Sequence, residues 1–86
     1  MGFGNFAYSF QEVALLKLLR REVTHAEKER IDYKLSREGA RYAGMSDTQA
    51  IQTVQQFGGC DAQGSLTFEG RGHALSALNR QQFEVW

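Results

Sequence analysis

The segment Ala40-Arg41-Tyr42-Ala43-Gly44-Met45-Ser46-Asp47-Thr48-Gln49-Ala50 decides how this chain is read. Ser46 followed by Gln49 three positions on is a capping box, in which the Ser hydroxyl accepts from a first-turn amide at the start of a helix. Behind it Ala50, Ile51, Val54 and Phe57 recur at helical spacing. In front of it, Ala40 is small enough for two helices to approach closely, and Gly44 has access to the left-handed backbone. Met45 then supplies an apolar plug for the gap between them. The segment therefore predicts two helices joined by a tight turn.

Working upstream, Thr24-His25-Ala26-Glu27 is a second capping box, and Ile31 and Leu35 fall four apart on one face behind it. The remaining positions of that helix are largely charged, and Lys28 and Asp32 are placed for an i,i+4 pair. A further box, Ser9-Phe10-Gln11-Glu12, precedes Val13, Ala14, Leu15, Leu16, Leu18 and Leu19. An apolar band that wide predicts a helix at the centre of the core, not one on its surface. Residues 1–8 read as an arm whose rings, Phe3, Phe6 and Tyr8, cover part of the core.

Downstream, Gly58-Gly59 is a glycine helix stop. Asp61-Ala62-Gln63-Gly64 is a turn group, which predicts a short β-hairpin over 60–67. Thr67 caps a last helix carrying Ala74, Leu75, Ala77 and Leu78, and the tail Phe83-Glu84-Val85-Trp86 alternates like an edge strand. One internal echo exists: Leu35-Ser36-Arg37-Glu38-Gly39 with Ala43 has the same form as Leu66-Thr67-Phe68-Glu69-Gly70 with Ala74. Shared helix-entry chemistry explains it, because two copies do not make a repeat array.

Residues 36–57 resemble a helix-turn-helix, and Gly58-x-x-Asp61-x-x-Gly64-x-Leu66-Thr67-x-x-Gly70-Arg71-x-x-Ala74 resembles the wing and following helix of winged-helix domains. Together the two windows cover about half the chain. The resemblance implies a mainly α fold with a short hairpin, in one winged helix-turn-helix-like domain spanning 1–86. It also implies that Leu66 is a buried strand residue and that Gly70 allows tight packing at the start of the last helix. The sequence departs from the family where apolar residues usually stand one position before Ile51 and Val54, since Ala50 and Thr53 occupy those places. In such domains the second helix of the motif enters the DNA major groove. Carried onto this chain, the nucleic-acid candidates are Arg37, Arg41, Ser46, Thr48, Gln49, Gln52 and Thr53. Gln is suited to adenine, which it can bond through two atoms at once.

Composition bounds the function. The 86 residues leave room for one domain, and the 42% apolar share is enough for a core. The lone cysteine, Cys60, excludes an internal disulfide. Ten basic and ten acidic residues cancel, yet eight of the basic ones lie in 17–41 against five acids, giving that segment +3 and the remainder −3. No Lys or Arg lies between Arg41 and Arg71, although phosphate contacts normally supply most of the affinity for DNA. The basic segment suits a phosphate backbone or an acidic protein surface, with Lys28, Arg30 and Lys34 the candidates for the latter.

Cys60 with His73 and Asp61 has no flanking nucleophile motif, and the two histidines lack ligand partners at metal spacing. No catalytic site, metal or cofactor is expected. No run reaches membrane-spanning length and no signal-peptide pattern opens the sequence, so a cytoplasmic protein is expected. Two functions follow. One is a DNA-binding regulator acting as a homodimer on double-stranded DNA, since one small module with few phosphate contacts binds weakly alone. The other is a non-catalytic adaptor or inhibitor that uses the same fold to bind a protein.

Overall fold

The computed structural model describes residues 8–80, so the expectations for Phe3, Phe6 and the strand at Phe83–Trp86 fall outside the described residues. The Ser9 hydroxyl accepts from the Glu12 amide at 3.0 Å, and the Glu12 carboxylate accepts from the Ser9 amide at 2.8 Å. This reciprocal cap starts α1, Phe10–Arg20. Val13, Ala14, Leu15, Leu16, Leu18 and Leu19 are all buried along it. With apolar residues around most of its circumference, α1 packs against every other helix and forms the centre of the core. Each fully buried leucine contributes about 2 kcal/mol of apolar burial.

The second helix, α2 (His25–Ser36), begins at Thr24, whose hydroxyl accepts from the Glu27 amide. Here the Glu27 carboxylate accepts from the Thr24 hydroxyl, so the return arm of the expected box does not go to the backbone. Ile31 and Leu35 are the buried pair, as their spacing requires. A single turn, α3 (Ala40–Ala43), leads through Gly44 to α4, Asp47–Gln55, capped by Ser46. Met45 is buried in the corner.

Two details of this corner differ from the sequence expectation. Gly44 has φ −85° and ψ −6°, an ordinary right-handed cap whose amide donates to the Ala40 carbonyl at 2.8 Å. Ala40 is exposed, so the close packing comes from Met45 and Ala50 instead.

At the end of α4, Gly58 takes φ +76°. Its amide donates to Gln55 and that of Gly59 to Val54, each at 3.0 Å, which is the Schellman pattern of helix termination. Phe57 is thereby carried beyond the helix and is 44% exposed, not part of the core. Ala50 and Val54 form the buried stripe, with Ile51 half-buried beside them.

Cys60 and Leu66 then face each other in one antiparallel bridge. The Asp61 carboxylate accepts from the Gln63 and Ser65 amides, both at 2.9 Å, and stiffens the turn between them. Among the described residues no strand extends from this bridge, so the expected hairpin over 60–67 is one bridged turn. Leu66 is buried, as expected of it.

Thr67 caps α5, Phe68–Asn79, by accepting from the Gly70 amide at 3.0 Å. A Cβ on Gly70 would lie 1.9 Å from the Gly59 carbonyl oxygen, so only glycine lets α5 rest on that backbone. Helices make up 66% of the described residues, arranged as one small, mainly helical domain. The Leu35 and Leu66 segments are not equivalent in it. Ser36 ends α2 with its hydroxyl donating to the Tyr33 carbonyl, whereas Thr67 starts a helix.

Candidate functional site

The outward face of α4 is polar and uncharged. Thr48, Gln49 and Gln52 are exposed on it. Ser46 is occupied as the cap, and Thr53 donates to the Gln49 carbonyl at 2.7 Å, leaving that hydroxyl committed to its own helix. The charged group at its N-terminus is Asp47, with its side chain 78% exposed and Lys17 at 3.7 Å. An acid at that end suits the helix dipole but opposes a phosphate.

Several cations of the basic segment are engaged within the molecule. Arg20 on α1 binds Asp32 on α2 through two bonds, of 2.6 and 3.1 Å, so Asp32 is not the i,i+4 partner of Lys28. Arg41 donates to the Tyr8 carbonyl and sits 3.5 Å from Glu38. Glu38 in turn accepts the Tyr8 amide at 3.2 Å. Lys34 donates to the Leu78 and Arg80 carbonyls at 2.6 and 3.2 Å, satisfying acceptors that the end of α5 leaves open. Burial, followed by the charges of Arg30 and Arg80, pulls the Lys34 ammonium below its usual range. Of the other cations proposed from the sequence, Arg30 and Arg37 are exposed and Lys28 is half-buried. The seven nucleic-acid candidates thus divide into an exposed amide face on α4 and arginines on the preceding segment.

A different surface runs along α5. Its buried stripe is Gly70, Ala74, Ala77 and Leu78. Phe68, at the first position of the helix, projects away from that stripe and is 92% exposed. A groove of about 650 Å³ lies over the C-terminal half of α5, with Leu15, Phe57, His73 and Ala77 among its walls. The Arg80–Glu12 ion pair, 2.9 Å apart, stands at its polar end. A second groove of about 550 Å³ flanks Phe68 and Leu75, and the two share His73 and Ser76. The grooves are walled largely by apolar surface, and each has an exposed phenylalanine among its walls, Phe57 in one and Phe68 in the other.

Neither phenylalanine carries a functional signal in the sequence. Phe57 was legible only as a continuation of the α4 stripe, because the Gly58 stop lies one residue too late to reveal the turn. Phe68 was recoverable: two residues before Gly70, it sits about 200° around the helix from the buried stripe.

Cys60 is buried with its thiol donating to the Ile51 carbonyl at 3.6 Å, and burial and the neighbouring Asp61 carboxylate push its pKa up. His73 is exposed in the α5 face. Among the described residues no three His, Cys, Asp or Glu side chains gather as a metal site, and no helix is long and apolar enough to cross a membrane. No family model matches this sequence, and no curated protein or solved structure is detectably similar to it.

Proposed function

We propose that this chain is a non-enzymatic protein-interaction module, a helix-turn-helix-like scaffold in which the bridged turn at 60–67 stands where a wing would be. The observation that carries this is the exposed face of α5, bounded by Phe57 and Phe68. Phe68 contributes nothing visible to the fold, since Thr67 already caps the helix and Gly70 makes its close contact. Exposed aromatics beside an apolar groove are the usual anchors of protein docking.

The test is capture from nuclease-treated host lysate on immobilised full-length chain. A specific protein band is expected with wild type, and it should fall at least tenfold with Phe68→Ser. It should persist with Gln49→Ala and Gln52→Ala. Recovery of nucleic acid alone, before nuclease treatment, overturns the proposal.

A DNA-binding regulator is the second reading, favoured by the exposed amides of Gln49 and Gln52 on α4. It requires a mobility shift on genomic fragments at low salt, weakened by Gln49→Ala and Gln52→Ala. Under it, Arg37→Ala lowers affinity for all sequences and flattens the salt dependence. The protein-docking function is preferred because phosphate anchoring needs available cations. Here Arg20, Lys34 and Arg41 are engaged in intramolecular bonds.

A further inference from the structure

The groove walled by Leu15, Phe57, His73 and Ala77 runs along α5 to Arg80, which is itself part of its lining. Arg80 has φ −67° and ψ 131°, so the chain leaves the helix in extended form at the end of this groove. The six residues that follow, Gln81-Gln82-Phe83-Glu84-Val85-Trp86, lie outside the described residues. Their length suits the surface beside their point of departure. Extended chain advances about 3.3 Å per residue, which carries Phe83 about 10 Å from Arg80 and Trp86 about 20 Å. His73 stands about 10 Å back from Arg80 along the helix axis. Residues 81–86 are therefore long enough to double back over α5 and span the groove.

Their chemistry suits it too. Phe83, Val85 and Trp86 offer apolar side chains to a groove with Leu15 and Ala77 in its walls and Phe57 44% exposed at its edge. The groove's end near Arg80 is rich in cations. Arg41 donates to the Tyr8 carbonyl, Arg80 lies over the Tyr8 ring, and Lys34 donates to the Arg80 carbonyl. The charge of Arg30 reaches both Tyr8 and Lys34. The acids acting on Tyr8 are Glu12 and Glu38, so four cations stand against two carboxylates even with Arg80 already paired to Glu12. Glu84 is the acid of residues 81–86 and brings a third carboxylate.

We infer that residues 81–86 fold back on their own chain, with the aromatic rings of Phe83 and Trp86 in the groove between α1 and α5 and Glu84 toward the cations around Tyr8. This goes beyond the protein-docking reading and leaves its anchor untouched. Phe68 precedes Ala77 by nine positions, which places it half a turn around α5, on the side away from the groove.

Trp86 is the single tryptophan of the chain, so its fluorescence reports on this segment alone. In the native full chain its emission should be blue-shifted and at least threefold less quenched by acrylamide than in the urea-unfolded chain. Phe83→Ser should remove that protection, and so should His73→Glu, which sets a carboxylate at an exposed helix position in the groove wall. Both should keep the helical circular dichroism of wild type. Phe68→Ser should leave the Trp86 signal unchanged. An indole as accessible in the native chain as in urea overturns the proposal, and so does protection that both groove variants retain. Protection that appears only as concentration rises marks a second copy as the occupant and overturns it as well. The lysate band responds to Phe68 and the Trp86 signal does not, so the docking reading and this one fail separately.

Discussion

Gly70 and Gly72 sit in the same helix two residues apart and have opposite meanings. At Gly70 a single methyl would lie 1.9 Å from the Gly59 carbonyl oxygen, which is backbone and has nowhere to move. Gly70→Ala is therefore expected to destabilise by about 3 kcal/mol or more, as overpacking against fixed atoms does. Gly72→Ala meets nothing and should stabilise by about 0.5–1 kcal/mol through helix propensity. Urea unfolding of both variants checks this, and equal effects would contradict it.

Tyr8 is the other decisive residue. Its ring is fully buried, its hydroxyl donates to the Ala77 carbonyl at 2.9 Å, and the Arg80 guanidinium lies 4.9 Å over the ring. Burial raises its pKa above 10.0, with Arg80 opposing. A folded pKa above the unfolded one means the stabilisation is complete below pH 10.0 and is lost as pH rises through the folded value. Lys34, whose pKa is lowered, adds stability as pH climbs in the same alkaline range, so the two must be separated by mutation. Tyr8→Phe should cost about 1 kcal/mol at neutral pH by removing a buried hydrogen bond to the Ala77 carbonyl, which keeps the Arg80 amide as a donor. It should also show a smaller alkaline loss than wild type in melting curves taken from pH 8 to pH 11.

Among the elements, the helix starts were the most legible part of the sequence, because a cap needs only residues within one turn of each other. Ser9, Thr24, Ser46 and Thr67 all cap where the spacing predicts. The apolar stripes of α1 and α2 were equally plain. What failed to show was anything set by a neighbouring element. The Arg20–Asp32 pair spans a helix boundary and takes Asp32 away from Lys28. Phe57 follows the α4 period but sits in the terminal turn, after α4 ends at Gln55 and just before Gly58 reverses the chain. Gly44 gives this turn access to the left-handed backbone. Here α3 ends in an ordinary right-handed turn, and the chain reverses at Met45 and Ser46. At this scale the cap itself is testable. Ser46→Ala should cost about 1 kcal/mol and lower the melting temperature by about 4–8 °C. An unchanged melting temperature would show that α4 is held by Ala50 and Val54 alone.

For the whole molecule, ion pairs tie together elements that lie far apart in the sequence. Glu22 joins Arg71 and accepts the Leu66 amide at 2.9 Å, tying the end of α1 to the bridged turn and α5. Arg80 reaches Glu12, Arg20 reaches Asp32 and Lys17 reaches Asp47, so opposite charges from different helices meet across the surface of the core. Of these pairs only Lys17–Asp47 joins a cation of residues 17–41 to an acid of the remainder, while Arg21, Arg30 and Arg37 stay exposed. These pairs were invisible in the sequence because they depend on which helices are neighbours.

The central claim is that this chain docks protein through α5 and not nucleic acid through α4. The measurement that bears on it most directly is parallel capture from host lysate, with and without nuclease, on wild type, Phe68→Ser and the Gln49→Ala, Gln52→Ala double variant. The expected result is a protein band that survives nuclease, is lost with Phe68→Ser and is retained by the double variant. A recovered species that is nucleic acid, or a band lost with the α4 variant and retained by Phe68→Ser, would contradict it.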